Sequence, residues 1–509
     1  AITQSRAVNA VSRIHARVSA EICADAWPEI PPHESPVGYV TNGVHVPTFI
    51  QPEWVGLLEE HLGPSWIYQL TDRALMDTIM DIPQARFWSV NQRIKSDMFS
   101  ALRVRLERQH ARNQSSEAHV QRLVKYLDPD KPDVLTIGFG RRFATYKRAT
   151  LLFTDLDLLR QIVDHDERPV VFVFAGKAHP ADEPGQQMLR EIHRVANLPE
   201  FIGKIVLVEG YDLGLGRLLT AGVDVWLNTP VYPMEASGTS GMKAAMNGTV
   251  NLSVLDGWWA EAYDGSNGWA IPPSVGIADE QERDRGDAET LYEILQDHVI
   301  PLYYQRPEKL EYSPEWVEMC KRSMATILPD FNSNRVLHDY ACRFYGPAAA
   351  HGKRIAEQDW RGGRELADWT ARVRSAWPGV TMRLVEPAAQ RIGFESELSM
   401  EVEVDLNGLS PEDIRVECVV HRKLCSEVAV PVRQFSRAAP PSDGIRYVDD
   451  KAVLVAPFEP VAGSDADGRC RYRLRAQLPW CGRLSYEIRA VPQHRYLSHP
   501  YQLGLMHWL

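Results

Sequence analysis

The segment 223-VDVWLNTPVYPMEASGTSGMKAAMNGTVNLSVLDG-257 decides how the chain is read. VDVWLNT and TVNLSVLDG are short apolar runs, rich in β-branched residues and bounded by Gly, Pro and Asn, which predicts buried strands. TSGMKAAMNG between them reads as a helix, so the segment is a strand–loop–helix–strand unit whose strands run parallel. Its centre, 234-MEASGTSGMKAAMNG-248, packs three glycines, two serines, a threonine and one lysine. Backbone N–H groups at a helix start point outward and carry partial positive charge, and small residues permit close approach. Thr239, Ser240 and Gly241 in the first turn therefore predict a phosphate site, with Lys243 within reach of a group anchored there. On this stretch alone, a glycine-rich turn capping a helix with a solvated lysine fits as well.

The alternation continues upstream. DVLTIGFG (133–140), PVVFVFAGKAHP (169–180) and KIVLVEG (204–210) read as strands. YKRATLLFTDLDLLRQIV (146–163), GQQMLREIHRVA (185–196) and LGRLLTAG (215–222) read as helices. Continuous apolar strands separated by helices predict an α/β, doubly wound (Rossmann-like) lobe with a parallel sheet covered on both faces. Ligands sit at the carboxyl ends of such strands. Here those ends are Gly138 to Arg142, Gly176-Lys177, Glu209 to Tyr211, Thr229 to Gly238 and Asp256-Gly257.

Around the lobe, 84–127 reads as helical, with Ser115-Ser116-Glu117 opening a second helix. Residues 289–346 read as three helices and 351–377 as a charged helical stretch with several tryptophans. After Pro378-Gly379, alternating runs such as SELSMEVEVDL, DIRVECVVHRKL and RLSYEIRAVP predict an antiparallel β-sandwich of about 130 residues. At the other end, Val8, Val11, Ile14, Val18 and Ile22 recur at helical spacing. The start shows neither Met nor a signal-peptide pattern, and a domain rarely opens on such a helix, so an upstream part is expected. The resulting division is 1–41, 42–346, 347–378 (a helical connector) and 379–509.

Fifty-six basic against 67 acidic residues leave a net charge of −11, which argues against broad binding to nucleic acid or to an anionic membrane surface. Any phosphate should then be held by a local basic cluster, and 140-GRRFATYKR-148 supplies one at a strand end. Arg141, Arg142, Lys147 and Arg148 together predict a bound dianion, the alternative being a solvated basic helix start. Glu235, beside those amides, is best placed to accept hydrogen bonds from sugar hydroxyls, the alternative being a surface glutamate. Tyr211 and Asn42 carry weaker signals, and His45 and His179 read as structural. Trp258 and Trp259 in GWWAEAYDG suggest a sugar platform, but core packing is the commoner fate of such residues. Seven scattered cysteines without CxxC spacing predict reduced thiols, a cytoplasmic protein and no metal site. No run is long enough to span a membrane.

Together these pieces resemble the α-glucan phosphorylases. EASGTSGMKAAMNG is similar to that family's cofactor motif, Glu-Ala-Ser-Gly-Thr-Gly-Asn-Met-Lys followed by a helix ending in Asn-Gly. GRRFATYKR resembles its Lys-Arg-Ile-His-Glu-Tyr-Lys-Arg segment, AGKAHP its Gly-Lys-Ala-Ala-Pro, and VNAVSRIH its Val-Asn-Gly-Val-Ala-Arg-Ile-His. The resemblance covers about residues 5 to 345, and TSGMKAAMNG with NLSVLDGWWAEAY resembles the bacterial and archaeal short-type branch.

That resemblance implies a two-lobed GT-B glycosyltransferase using pyridoxal 5′-phosphate. Lys243 matches the lysine that holds the cofactor as a Schiff base. Thr239, Ser240 and Arg141 match the cradle of the cofactor's phosphate, and Tyr211 is assigned to the same site. Arg142, Lys147 and the amide of Gly238 match the substrate-phosphate site. Glu235, Ser237, Tyr146 and Asn42 match positions that hold the terminal glucose. In the implied reaction the cofactor phosphate passes a proton to the substrate phosphate, which protonates the leaving oxygen and takes up the glucosyl residue with retention. The products are glucose 1-phosphate and a shortened α-1,4-glucan. Departures are Ser240-Gly241 for Gly-Asn, Ala144-Thr145 for His-Glu and Arg141 for the leading Lys.

The resemblance also implies a missing N-terminal lobe, on the same or a separate polypeptide, and a homodimer by analogy. Two other functions are weighed: a nucleotide-sugar-dependent GT-B transferase of glycogen synthase type, and a non-catalytic half-chain that binds glycan through its β domain. Lys243 within the full motif favours the phosphorylase.

Overall fold

The computed structural model describes residues 2–391, 393, 397–423, 445–448, 451–461 and 468–509; Ser396, Leu424 and Cys425 of the sequence reading lie outside them. The chain forms two compact units, Ala10–His15 with Tyr39–Asp339, and Ala1–Asn9 with Ala16–Gly38 and Tyr340–Leu509.

The first of these is built on six parallel strands, β1 (Leu135–Gly140), β2 (Val170–Ala175), β3 (Ile205–Val208), β4 (Val225–Asn228), β5 (Val250–Val254) and β6 (Gly268–Ile271). Their order is β3-β2-β1-β4-β5-β6. Every residue of β1, β2, β4 and β5 is buried, because the sheet is covered on both faces. Leu135, Ile137 and Phe139 enter one core with Phe172, Phe174 and Leu252. Val171, Val173, Val206 and Trp226 enter another with Met98, Phe99 and Leu102 of α1 (Gln84–Arg112). The crossovers are α2 (Leu156–Val163), α3 (Glu183–Ala196), α4 (Leu213–Gly222) and α5 (Thr239–Ala245). Asp155, Asp182 and Asp212 cap the first three by accepting from Leu158, Gly185 and Leu215.

Several sequence expectations need correction. The stretch 146–163 is helical only from Leu156; before it lie two 3-10 turns, and Arg148 between them has φ +45°. The Arg148 side chain, tied to the carbonyls of Thr229 and Pro230 and to Asp284 and Asp287, holds the backbone in this conformation. Val8 lies in a short strand, Val8–Ala10, and the N-terminal helix starts only at Arg13. Ser12 Oγ accepts the amide of His15 at 3.1 Å while His15 Nδ1 accepts that of Val11, a reciprocal cap that sets the start. Ile22, expected on the buried face, is 74% exposed. Strand β6 escaped the sequence reading because GWAI is only four residues long and begins with glycine.

In the second unit, two antiparallel sheets use alternating residues. One contains β7 (Thr381–Glu386), β8 (Glu397–Asp405), β12 (Glu459–Pro460) and β13 (Arg469–Gln477) in the order β12-β13-β8-β7. The other contains β9 (Ile414–Lys423), β10 (Ile445–Val448), β11 (Lys451–Pro457), β14 (Leu484–Pro492) and β15 (His507–Trp508) in the order β10-β11-β9-β14-β15. Met400, Val402, Val416, Cys418, Leu474 and Ile488 from both sheets share one core with Trp369, Val373 and Trp377 of the preceding helical stretch. Cys23, Cys320, Cys418 and Cys481 are free thiols.

At the amino ends of β1 and β4, Lys95 Nζ donates to Asp224 Oδ2 (2.5 Å), Val134 O (2.5 Å) and Tyr303 Oη (3.0 Å), with no exposed surface. Removing one partner of a buried pair strands the other charge, so Asp224→Ala should lower stability by about 3–5 kcal/mol. Urea denaturation followed by near-UV circular dichroism checks this, with Arg86→Ala on the exposed pair with Glu60 as the near-neutral control.

Candidate functional site

The strand order reverses between β1 and β4, and in open parallel sheets ligands bind outside the carboxyl ends at that reversal. Arg141 follows β1 and Asn228 ends β4; Arg141 Nη1 donates to Asn228 Oδ1 at 2.8 Å and so spans the reversal. Arg141 Nη2 donates to Glu235 Oε2 at 2.5 Å, and Lys147 Nζ reaches the same oxygen at 3.2 Å. All three charged side chains are buried. Burial and the neighbouring Arg141 push the Lys147 ammonium down to about 8 against the opposing pull of Glu235. Tyr146, half-buried beside Lys147, is raised mainly by burial, and its carbonyl accepts Val231 N at 2.7 Å. Arg142 is exposed at the rim. Arg148 is not part of this cluster: its guanidinium is spent on Thr229, Pro230, Asp284 and Asp287, so the predicted four-cation focus reduces to three.

The loop after β4 carries Glu235, Ser237 and Gly238 into the seven-residue helix α5. Gly238 caps that helix at φ +89°, in the region that favours glycine. Ser237 Oγ and Arg141 Nε are buried without a hydrogen-bond partner among the described residues. Ser240 Oγ accepts Trp226 Nε1 at 3.1 Å, which leaves its O–H free to donate. Gly241 permits no side chain: a Cβ there would lie 2.5 Å from Asn251 Oδ1 and 2.8 Å from the Trp258 ring.

Lys243 Nζ stands 4.2 Å from the centroid of the Phe49 ring. Burial pushes its ammonium down, toward the free amine. Asn247, which no sequence signal had singled out beyond the helix-ending Asn-Gly, holds this arrangement. Its Nδ2 donates to Lys243 O (2.8 Å) and Phe49 O (3.0 Å), and its Oδ1 accepts Gln51 N (2.9 Å). Tyr211 Oη donates to Gly140 O at 3.2 Å, beside Arg141.

Asn42 stands apart from these contacts. Its amide donates to Val11 O and its carbonyl accepts Arg335 Nη2. Its neighbour Thr41 donates to Glu261 Oε2 at 2.7 Å, and Glu261 Oε1 accepts Arg13 N at 2.9 Å. Glu261, unmarked in the sequence reading, thus joins this segment to the turn after β5. His45 Nδ1 shares a local hydrogen bond with Thr48 Oγ1, and His179 Nδ1 accepts Ala181 N. Trp258 and Trp259 are core residues at 3% and 0% exposure. Among the described residues no His, Cys, Asp and Glu group could hold a metal ion, and no helix is long and apolar enough to cross a membrane.

A carbohydrate phosphorylase family profile matches residues 1–264, and a glycogen phosphorylase C-terminal domain profile matches residues 446–509. The maltodextrin phosphorylase of Thermococcus litoralis is 36% identical over 100% of this chain and 56% of its own length. The glycogen phosphorylase of Mycobacterium bovis is 35% identical over 98% of this chain and 55% of its own. That of Aquifex aeolicus is 43% identical over 66% of this chain and 47% of its own. The chain belongs to the carbohydrate phosphorylase family, and it spans about half the length of the curated relatives it matches.

Two expectations follow from the geometry. Gly241→Asn should lower stability by about 1–3 kcal/mol through overpacking, and Asn251→Ala in the same chain should recover part of the loss in a urea titration. An anion between Arg141 and Lys147 meets a charged ammonium only below its pKa, so affinity should fall as pH rises through about 8. Calorimetry with sulfate, whose charge is constant in that range, checks this; a flat profile would remove Lys147 from the anion site.

Proposed function

We propose that this chain carries the cofactor- and phosphate-binding part of an α-1,4-glucan phosphorylase. On this reading the six-stranded parallel unit is the doubly wound, Rossmann-like lobe of a GT-B enzyme. The second unit contributes an accessory or packing β-sandwich. The observation that carries the reading is the placement of a partly buried lysine, Lys243, one turn from Gly238 and the unpartnered Ser237 hydroxyl, in a loop whose Glu235 meets Arg141 and Lys147.

These residues fit pyridoxal 5′-phosphate. A lysine pushed toward its free amine is suited to condense with an aldehyde, and Phe49 and Asn247 hold it in place. Arg141 keeps a buried Nε–H unpartnered, and Thr239 and Ser240 stand in the first turn of α5 as further donors to a phosphate. When bound, the cofactor supplies a phosphate group able to exchange a proton with the substrate phosphate. The chain's own residues do the positioning. Tyr211 steadies the end of β1 through Gly140 O. Arg142, Lys147 and the Gly238 amide take the substrate phosphate and neutralise charge on it during transfer. Glu235, Ser237, Tyr146 and Asn42 take the hydroxyls of the terminal glucose, and the glucosyl unit leaves as glucose 1-phosphate with retained configuration. Partners are the α-1,4-glucan, inorganic phosphate, an N-terminal lobe and a second copy of the protein in a cytoplasmic homodimer.

Borohydride reduction followed by peptide mass mapping should find a phosphopyridoxyl adduct on Lys243. Lys243→Ala should abolish both the adduct and phosphate-dependent release of glucose 1-phosphate. Turnover of a nucleotide sugar with Lys243 unmodified would replace this reading with the glycogen-synthase-type transferase.

A further inference from the structure

Asp256 is buried just beyond β5, and among the described residues its two carboxylate oxygens accept only backbone amides. Oδ2 accepts Glu235 N at 2.9 Å and Oδ1 accepts Gly257 N at 2.7 Å. The next residue in the turn, Trp258, donates its amide to Ser237 O at 2.9 Å. Gly257, at φ +52°, lies so close that a Cβ would sit 2.4 Å from Ser237 O. The turn 256–258 therefore clasps the loop 235–238 by two hydrogen bonds across the gap and by direct backbone contact. That loop bears Glu235, Ser237 and Gly238, whereas Lys243 lies on the following helix and Arg142 after another strand.

A carboxylate is an expensive choice for this task. Asp256 stands near the Glu235 carboxylate, and its two amide donors only partly offset its burial. A purely structural clasp needs no charge, since a neutral acceptor would hold one amide without the desolvation cost. What only the ionised group offers is two acceptor oxygens at once, one for each side of the gap.

We propose that Asp256 is a positioning residue for the terminal-glucose site, fixing the Glu235 backbone so that the side chains of the 235–238 loop present a fixed set of partners to sugar hydroxyls. The inference rests on the assignment of that loop to glucose made above. Asp256 acts through the 235–238 backbone, which bears the glucose-site side chains of Glu235 and Ser237 and only the Gly238 amide of the phosphate site, so its main effect falls on glucan affinity. Burial, with a smaller contribution from Glu235, pushes the Asp256 carboxyl up to about 6, against the two amides. The charged groups facing it are Glu235 and, behind Glu235, Arg141 and Lys147. The sign follows: above about 6 both oxygens accept, and as pH falls through about 6 one becomes an O–H donor that faces an N–H donor.

The test is maltopentaose binding by calorimetry to the full-length, pyridoxal-phosphate-loaded protein without phosphate, in wild type and Asp256→Asn. Loss of one charged acceptor should weaken binding about 10- to 100-fold, with cofactor absorbance unchanged and sulfate affinity altered less than glucan affinity. Wild-type affinity should drop as pH falls through about 6, and the Asn variant should lose that step. Equal affinities, or a wild-type profile flat through that pH, would overturn the inference. The wild-type profile alone decides if the variant does not fold. A wild type that loads cofactor but never binds maltopentaose would instead overturn the sugar assignment of the loop, and this inference with it.

Discussion

Everything in the parallel-sheet unit depends on how β1 and β4 are set side by side, and the buried Lys95–Asp224 pair sets them. Asp224 precedes β4, and its Oδ2 accepts both Lys95 Nζ and the amide of Thr136 in β1. Lys95 comes from α1 and also binds the carbonyl of Val134, just before β1. Burial pushes the Asp224 carboxyl up and the Lys95 ammonium down, each toward its neutral form, and their contact opposes both shifts. Such a pair adds little net stability over an apolar alternative, but it tolerates no slippage, because displacement would leave charge unpaired inside the core. The two strands pair only at Ile137↔Val225 and Gly138↔Trp226. With so short a ladder, the anchor at the amino ends is what keeps Gly140 and Asn228 adjacent at the carboxyl ends. Arg141 then bridges them.

At that far end the charges are arranged by the same logic with the opposite purpose. Arg141 and Lys147 converge on Glu235, a single carboxylate facing two buried cations, with Arg142 exposed beside them. The cluster thus keeps a net positive charge inside a protein whose overall charge is −11. Field is focused there by burial rather than by the sum of surface charge, which suits a small anionic ligand and not a polyanion. Arg148 shows the contrast. It lies next to Lys147 in sequence, yet two carbonyls and two carboxylates engage four of its five N–H donors, and it serves the fold.

That contrast measures what could be read from residues alone. The strand–helix alternation was legible because strands buried on both faces are written as unbroken apolar runs, and the loop at 234–248 because its small residues have no other use. Which of four adjacent cations face the cleft was not legible, since a 3-10 turn with one left-handed residue rotates Arg148 away from Lys147. Asn247 and Glu261 were missed, and Asp256 was marked only as a strand's carboxyl end, for a related reason. Each acts through backbone amides or carbonyls of segments distant in the chain, and such partners leave no trace in local composition. The departure at Gly241 was visible in the sequence, but its cause was not: the space is filled from behind by Asn251 and Trp258.

The second unit makes the same point about segments that composition assigns to different domains. Arg489 of β14 is 1% exposed and lies between Glu417 of β9 (Nε–Oε2 2.8 Å) and Glu34 (Nη1–Oε2 2.7 Å). Tyr501 donates to Glu34 at 2.7 Å and accepts from Arg489 at 3.1 Å. Trp27 and Ile30 pack with Val491, Tyr501 and Met506 in the same place. Both carboxylates are buried, so each needs the guanidinium as a counter-charge, and the guanidinium's buried charge needs them in turn. A segment fastened by a shared buried charge is not an appended neighbour of the β-sheets. Residues 24–37 complete the unit's core, and the antiparallel sheets in turn hold the early part of the chain in one conformation. This gives the C-terminal strands a structural task that requires no ligand of their own.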